Sequence, residues 1–214
     1  MRYRFALLMM LALAYGPASA HPHIFVDTKT GFHVNEDGLL TGLEISWTYD
    51  PFTTLFLFDV LDLDRDGDGE LNDEDYAAIL RGETEWADDY VGDIYLEVNK
   101  KVHPHLKPVD AEAVYRDDQI TVRFDLPLAE PVQVPGQEVV LRVYDPNYYY
   151  AYSVVETTGQ QSLPAPCETS LHAFEPDAVT SDLLITLGTL SREETPEQAN
   201  VGRLFSDEVV LSCD

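Results

Sequence analysis

Past its first ten residues this chain contains no methionine: Met1, Met9 and Met10 make up its full complement of three. That absence argues against a calcium sensor that works by opening a methionine-rich groove. Cysteine is almost as scarce. Cys167 and Cys213 both lie in the last quarter, without the C-x-x-C spacing of redox catalysts. Cations are few as well, 13 Lys and Arg against 39 Asp and Glu, for a formal net charge of -26. Nucleic acid is bound through Lys and Arg, so it is not an expected partner, and an anionic lipid surface is disfavoured for the same reason. After the N-terminal leader no apolar run approaches the ~20 residues of a membrane helix, so no direct membrane span is expected. G-x-S-x-G, H-E-x-x-H and an evident acid–base constellation are all missing, which speaks against an enzyme.

What is present begins with the leader itself. Arg2 and Arg4 precede the apolar run F-A-L-L-M-M-L-A-L-A-Y, and Ala18-Ser19-Ala20 supplies small residues for cleavage. Residues 1–20 therefore read as a signal peptide cut after Ala20. The mature chain, 21–214, has about 194 residues and a formal charge of -28, and its length suits a single domain. In an exported chain an even cysteine pair reads first as a disulfide, which would constrain the unfolded chain by about 4 kcal/mol.

From Ile24 onward the pattern is mainly β. F-V-D-T-K-T-G-F-H-V and L-L-T-G-L-E-I-S-W-T-Y alternate on either side of the turn N-E-D-G. D-I-Y-L-E-V, A-E-A-V-Y-R, I-T-V-R-F-D-L, E-V-V-L-R-V-Y, Y-Y-Y-A-Y-S-V-V, T-S-L-H-A-F and E-V-V-L-S-C follow. Eight or nine short strands with Gly, Pro and Asp between them predict an antiparallel β-sandwich. One stretch, about 50–82, breaks the alternation with helical spacing. It opens with Asp50 as N-cap and Pro51 at the first helical position, and closes at Gly82 as C-cap. Thr195-Pro196-Glu197-Gln198 predicts a further helix start.

Between the two helical runs lies D-R-D-G-D-G-E-L-N-D-E-D, Asp64 to Asp75. Read as a twelve-position EF-hand loop, Asp64, Asp66 and Asp68 take positions one, three and five, and Gly69 takes the sharp turn at six. Glu70 offers its carbonyl at seven, Leu71 packs inward at eight, Asn72 acts through water at nine, and Asp75 closes at twelve. A register starting at Asp62 would put Gly69 at position eight and lose the apolar anchor. Calcium takes six to eight hard oxygens, which alternating carboxylates on a tight turn provide. Without an ion, two such carboxylates ~4 Å apart repel by about 4 kcal/mol even at an effective dielectric of 20. Asp at position twelve is shorter than the usual Glu clamp, and a single loop suits a structural clip. The alternative is a solvated acidic loop.

The mature chain would open His21-Pro22-His23, two imidazoles beside a free amine. Imidazole suits zinc, copper and nickel. Pro22 has no N–H to surrender, so a local amide chelate is blocked and the fold must complete the ligand set. His103-Pro104-His105 repeats the motif and could bring two more rings to His21 and His23. His33 and His172 fall within strand patterns and read as structural. Y-D-P-N-Y-Y-Y-A-Y reads as a tyrosine-faced sheet edge, or else it places Asp145 or a phenol near the metal.

These segments occur in one order: H-P-H-I-F-V-D, W-T-Y-D-P-F, D-R-D-G-D-G-E-L, V-Y-D-P-N-Y-Y and L-F-S-D-E-V-V-L-S-C. The chain thereby resembles, over essentially its whole mature length, a bacterial exported family catalogued as domain of unknown function one-thousand-seven. Members are often described as a periplasmic component of an uncharacterised ABC-type transport system. The resemblance implies a periplasmic location and metal handling beside an inner-membrane metal permease or ABC-type transporter. It matches the family's opening histidines to His21 and His23, and its acidic loop to Asp64–Asp75. The reading is thus a calcium-binding, non-enzymatic accessory of nickel, cobalt, zinc or copper transport or homeostasis. The alternative is a calcium-stabilised interaction module docking a membrane partner. An amine-plus-imidazole copper site also opens some oxidative enzymes, a third and weaker reading.

Overall fold

The computed structural model describes residues 21–191 and 193–213. The expected signal peptide, 1–20, lies outside them. Ten strands are formed among the described residues: β1 (Ile24–Val34), β2 (Leu39–Tyr49), β3 (Ile94–Val98), β4 (Lys101–His103), β5 (Val109–Arg116), β6 (Gln119–Gln133), β7 (Val139–Val143), β8 (Tyr150–Thr158), β9 (Cys167–His172) and β10 (Glu208–Cys213). They make two five-stranded sheets, ordered β5-β6-β2-β1-β8 and β4-β3-β7-β10-β9. The protein is mainly β, as the alternation predicts.

Period-two burial explains why the sheets share one core. Along β6, alternate residues from Ile120 to Leu128 are buried, and Leu43, Ile45 and Trp47 of β2 join them. Leu96, Leu141 and Leu211 of the second sheet belong to the same apolar cluster. The β1–β2 hairpin closes as its sequence predicts: Asn35 Oδ1 accepts from the Asp37 and Leu39 amides, and Gly38 turns the chain.

The structure departs from the alternation pattern in one pairing. β1 lies parallel to β8, with Ile24 opposite Tyr150 and Val26 opposite Tyr152, so the first sheet is not wholly antiparallel. A parallel pair needs a long crossover, and the more than a hundred residues between β1 and β8 supply it. Alternation fixes which face a residue occupies but carries no information on strand direction.

Helices α1 (Pro51–Leu61) and α2 (Asp73–Thr84) flank the acidic loop, and α3 (Ala178–Leu187) lies between β9 and β10. Asp50 caps α1, accepting from the Phe52 and Thr53 amides at 2.7 and 2.9 Å. α2 runs through Gly82, the predicted stop, to Thr84. Tertiary contacts outweigh the ~1 kcal/mol cost of a helical glycine: Glu83 accepts the Tyr49 hydroxyl at 2.5 Å, and the buried Trp86 donates to the Glu83 carbonyl at 2.6 Å. The predicted helix at Thr195 does not form. Asn200 is left-handed there, and a short 3-10 turn, Val201–Phe205, buries Val201 and Phe205 against α3 instead. Sequence reading missed α3, although Asp177 and Thr180 cap it reciprocally.

Cys167 and Cys213 are disulfide-bonded and face each other across the β9–β10 ladder. Among the described residues no helix is long and apolar enough to cross a membrane.

Candidate metal centre

The acidic loop winds around its own first carboxylate. Asp64 Oδ1 accepts from the Asp68 and Gly69 amides, and Asp68 Oδ1 accepts from the Glu70 amide at 2.8 Å. Gly69 has φ +83°, with open space where a Cβ would stand, so the position favours glycine for its backbone angle and not for lack of room. Asp64, Asp66 and Asp68 converge, with one carboxylate oxygen from each within 4.8 Å of the others. Oxygens that far apart suit a cation held at ~2.3–2.6 Å from each. Leu71 packs partly buried against the main core.

Asp75 is placed differently from the three convergent carboxylates. It is buried, and its oxygens accept from the Asn72 amide at 3.0 Å and the Asp64 amide at 3.3 Å. With Asn72 it forms the reciprocal cap of α2 and ties the end of the loop to its start. Glu70 is exposed and outside the convergent group.

The histidine pair sits at the other end of α1. His21 and His23 have ring centres 4.8 Å apart, and the Tyr149 ring lies 4.5 Å from His23 and 5.9 Å from His21. An ion held ~2.0–2.1 Å from each nitrogen suits that ring separation. His21 is only 5% exposed, and its Nδ1 is buried without a hydrogen-bond partner among the described residues. The parallel β1–β8 pairing creates this cluster, because the His23 and Ile24 amides donate to the Tyr149 carbonyl at 2.8 and 3.2 Å.

Asp145 fixes Tyr149 from the other side. Its Oδ2 accepts from the Tyr149 and Tyr150 amides at 2.7 and 3.2 Å, and its Oδ1 accepts from the Asn147 amide at 3.0 Å. A Cβ on Gly202 would stand 1.9 Å from the Asp145 carbonyl oxygen, so the 3-10 turn can back this loop only with glycine there. The sequence offers this tyrosine-rich run as a tyrosine-faced sheet edge or as a source of Asp145 or a phenol near the metal; Tyr149 lies against both histidine rings, and Asp145 bonds to its backbone.

Behind them lies a buried acid that sequence reading missed. Asp93 accepts the Tyr152 hydroxyl at 3.0 Å and the Tyr90 hydroxyl at 3.3 Å. Burial pushes its carboxyl up to about 7, the Asp145 charge adds to the rise, and the two phenols partly oppose it. Burial also raises the Glu83 carboxyl, against the pull of the Tyr49 hydrogen bond.

The second H-P-H does not join the first. His103 Nε2 pairs with the Glu130 carbonyl at 2.7 Å, and His105 Nε2 with the Ile94 carbonyl at 3.2 Å. His105 bridges to Leu128, whereas the start of β1 is level with Thr121, since Asp27 opposes Thr48 and Thr48 opposes Thr121. The seven residues from Thr121 to Leu128 span roughly 23 Å of strand. The meeting of four imidazoles that the repeated motif allows is therefore ruled out by register. His33 and His172 lie on strands, against Asp125 at 3.2 Å and Ser170 at 3.3 Å, as their pattern predicts.

A family model described as "Protein of unknown function (DUF1007)" matches residues 6–213. The chain belongs to this family. Membership takes in the histidine pair, the acidic loop and both cysteines within one match. A comparison with curated proteins finds no match.

Proposed function

We propose that this DUF1007 protein is an exported, non-enzymatic metal-handling accessory. On this reading a calcium ion in the Asp64–Asp75 loop braces α1 and α2, and a transition-metal ion binds at His21 and His23. The ion is passed to, or received from, an inner-membrane permease or ABC-type transporter. The observation that carries the proposal is the convergence of the two imidazoles on Tyr149, with His21 Nδ1 buried and without a hydrogen-bond partner among the described residues. Such a nitrogen is costly to bury unless something binds it. The leader and the disulfide support a periplasmic location. Cleavage after Ala20 would add the His21 amine as a further nitrogen donor. When bound, the ion would supply a site that nitrogen donors can fill and release. The chain's own part is to hold both rings: the Tyr149 carbonyl fixes the His23 backbone, and Asp145 fixes Tyr149.

The decisive measurement is titration of zinc, copper, nickel and cobalt into chain that starts untagged at His21, beside His21→Ala/His23→Ala. Wild-type chain should bind at least one of these ions, and the double variant at least tenfold more weakly. Equal or negligible affinities would end the proposal.

Calcium is expected to act separately. Adding it to metal-stripped chain should raise the melting temperature, with ~2.7 kcal/mol of stabilisation at a hundred times Kd. Asp66→Asn/Asp68→Asn should abolish that rise while leaving the histidine titration intact. A calcium shift that persists in the variant would place the ion elsewhere.

A further inference from the structure

α1 is inverted. Its buried residues are Thr53 and Thr54, whereas Phe52 is 84% exposed, Leu55 66%, Phe56 48% and Val60 57%. The inward threonines have partners: Thr54 Oγ1 accepts the Ile120 amide at 3.1 Å, and Thr53 Oγ1 donates to Asp50 at 2.9 Å. The Thr54–Ile120 bond ties this orientation to the sheet, so turning the outer apolar face inward would break it. A helix that is apolar on its outer face is ordinarily covered. Phe52, Phe56 and Val60 recur every four residues and form one stripe. The exposed Phe25 lies beside it, its backbone bonded in both directions to Asp50.

We infer that this face of α1 is the docking surface for an apolar segment of a partner protein that carries lysine or arginine on its flanks. The charge pattern gives the sign. Residues 30–64 contain no Lys or Arg, and the stripe runs into Asp59, Asp62, Asp64, Asp66 and Asp68, with Arg65 already paired to Asp62. A second copy of so acidic a chain, or an anionic bilayer, would bring like charge to that end. The relief points to a protein and not to a flat membrane. Phe52 and Phe56 line a cleft of about 320 Å³ with Ile24, Tyr149, Tyr150 and His23, room for an inserted side chain. The docked segment would thus sit against His23. The inference stands on the apolar face and its charge, whether or not an ion binds there.

The test places p-benzoylphenylalanine at position 52 or 56 of the full chain, exported in the bacterium that encodes it, and irradiates the cells. Both positions should attach to the same protein. Sequencing of the adduct should show an apolar segment with Lys or Arg on either side. The same probe at Val102, exposed on β4, should not attach to it. Phe56→Asp should reduce the adduct from position 52 at least tenfold. Leu55→Asp repeats that measurement should Phe56→Asp fail to fold. Attachment to a second copy, to phospholipid or to a segment without flanking cations, or no attachment at all, overturns the proposal.

Discussion

Replacing Cys167 and Cys213 together with alanine is expected to lower the unfolding free energy by about 4 kcal/mol on the loop-entropy estimate. The bridge joins residues separated by 46 in sequence, and they already face each other across the β9–β10 ladder. The native sheet therefore keeps its register without the bond, and the loss falls mainly on the unfolded chain. That chain gains the freedom of the whole excursion holding α3 and the small core of Leu187, Val201 and Phe205. Urea unfolding of the oxidised chain and the double variant measures the difference. Hydrogen exchange should show the largest loss of protection between β9 and β10. A double variant as stable as the parent would mean that the unfolded chain is already restricted there.

Asp93 should make the protein less stable as pH rises, the reverse of what an ion-paired carboxylate does. Its ordinary pKa of 3.8 is raised on folding to about 7, so between those values the native state holds a proton that the unfolded chain has released. Its contribution is complete below about pH 4 and is lost as pH climbs through 7. Between pH 5 and pH 8 the loss is roughly 2–3 kcal/mol. The groups that face it among the described residues are Tyr90, Tyr95, Tyr150 and Tyr152, together with the Asp145 carboxylate. Asp93→Asn keeps a carbonyl oxygen for both phenols and removes the titration. The stability gap in favour of the variant should be roughly 2–3 kcal/mol wider at pH 8 than at pH 5, by denaturant unfolding at the two values. Parallel pH slopes for the two proteins would show that Asp93 is not the group responsible.

Much of this architecture could be read from neighbours in the chain. The Asn35 turn, the Asp50 cap with Pro51 behind it and the Asp64–Gly69 turn each depend on bonds within about five residues, and all form where their residues predict. The strand faces follow from the two-residue alternation. Where local signals compete, tertiary contact decides. Gly82 looks like a helix end, but burial of Trp86 and the Glu83–Tyr49 bond carry α2 past it. Thr195-Pro196 looks like a helix start, yet the close approach of Gly202 to Asp145 and the burial of Val201 draw the segment into another shape.

The candidate metal centre divides along the same line. The three convergent aspartates needed only their spacing. The histidine cluster needed β1 to lie parallel to β8, which brings Tyr149 under His23, and it needed a register that leaves His103 and His105 at the far end of the sheet. Neither condition is written in alternation, because a strand presents the same faces whichever way its partner runs.

The sequence alone determined that this would be a β-rich protein with an acidic loop between helices and a cysteine pair near its C-terminus. Each of those features arises from residues close in the chain, where few conformations satisfy the backbone. Only the tertiary structure decided which histidines meet, that Asp93 is buried among phenols, and that α1 turns Thr53 and Thr54 inward and leaves Phe52 and Phe56 out. Those outcomes depend on burial and hydrogen bonding summed over strands far apart in sequence, and no short segment contains that sum.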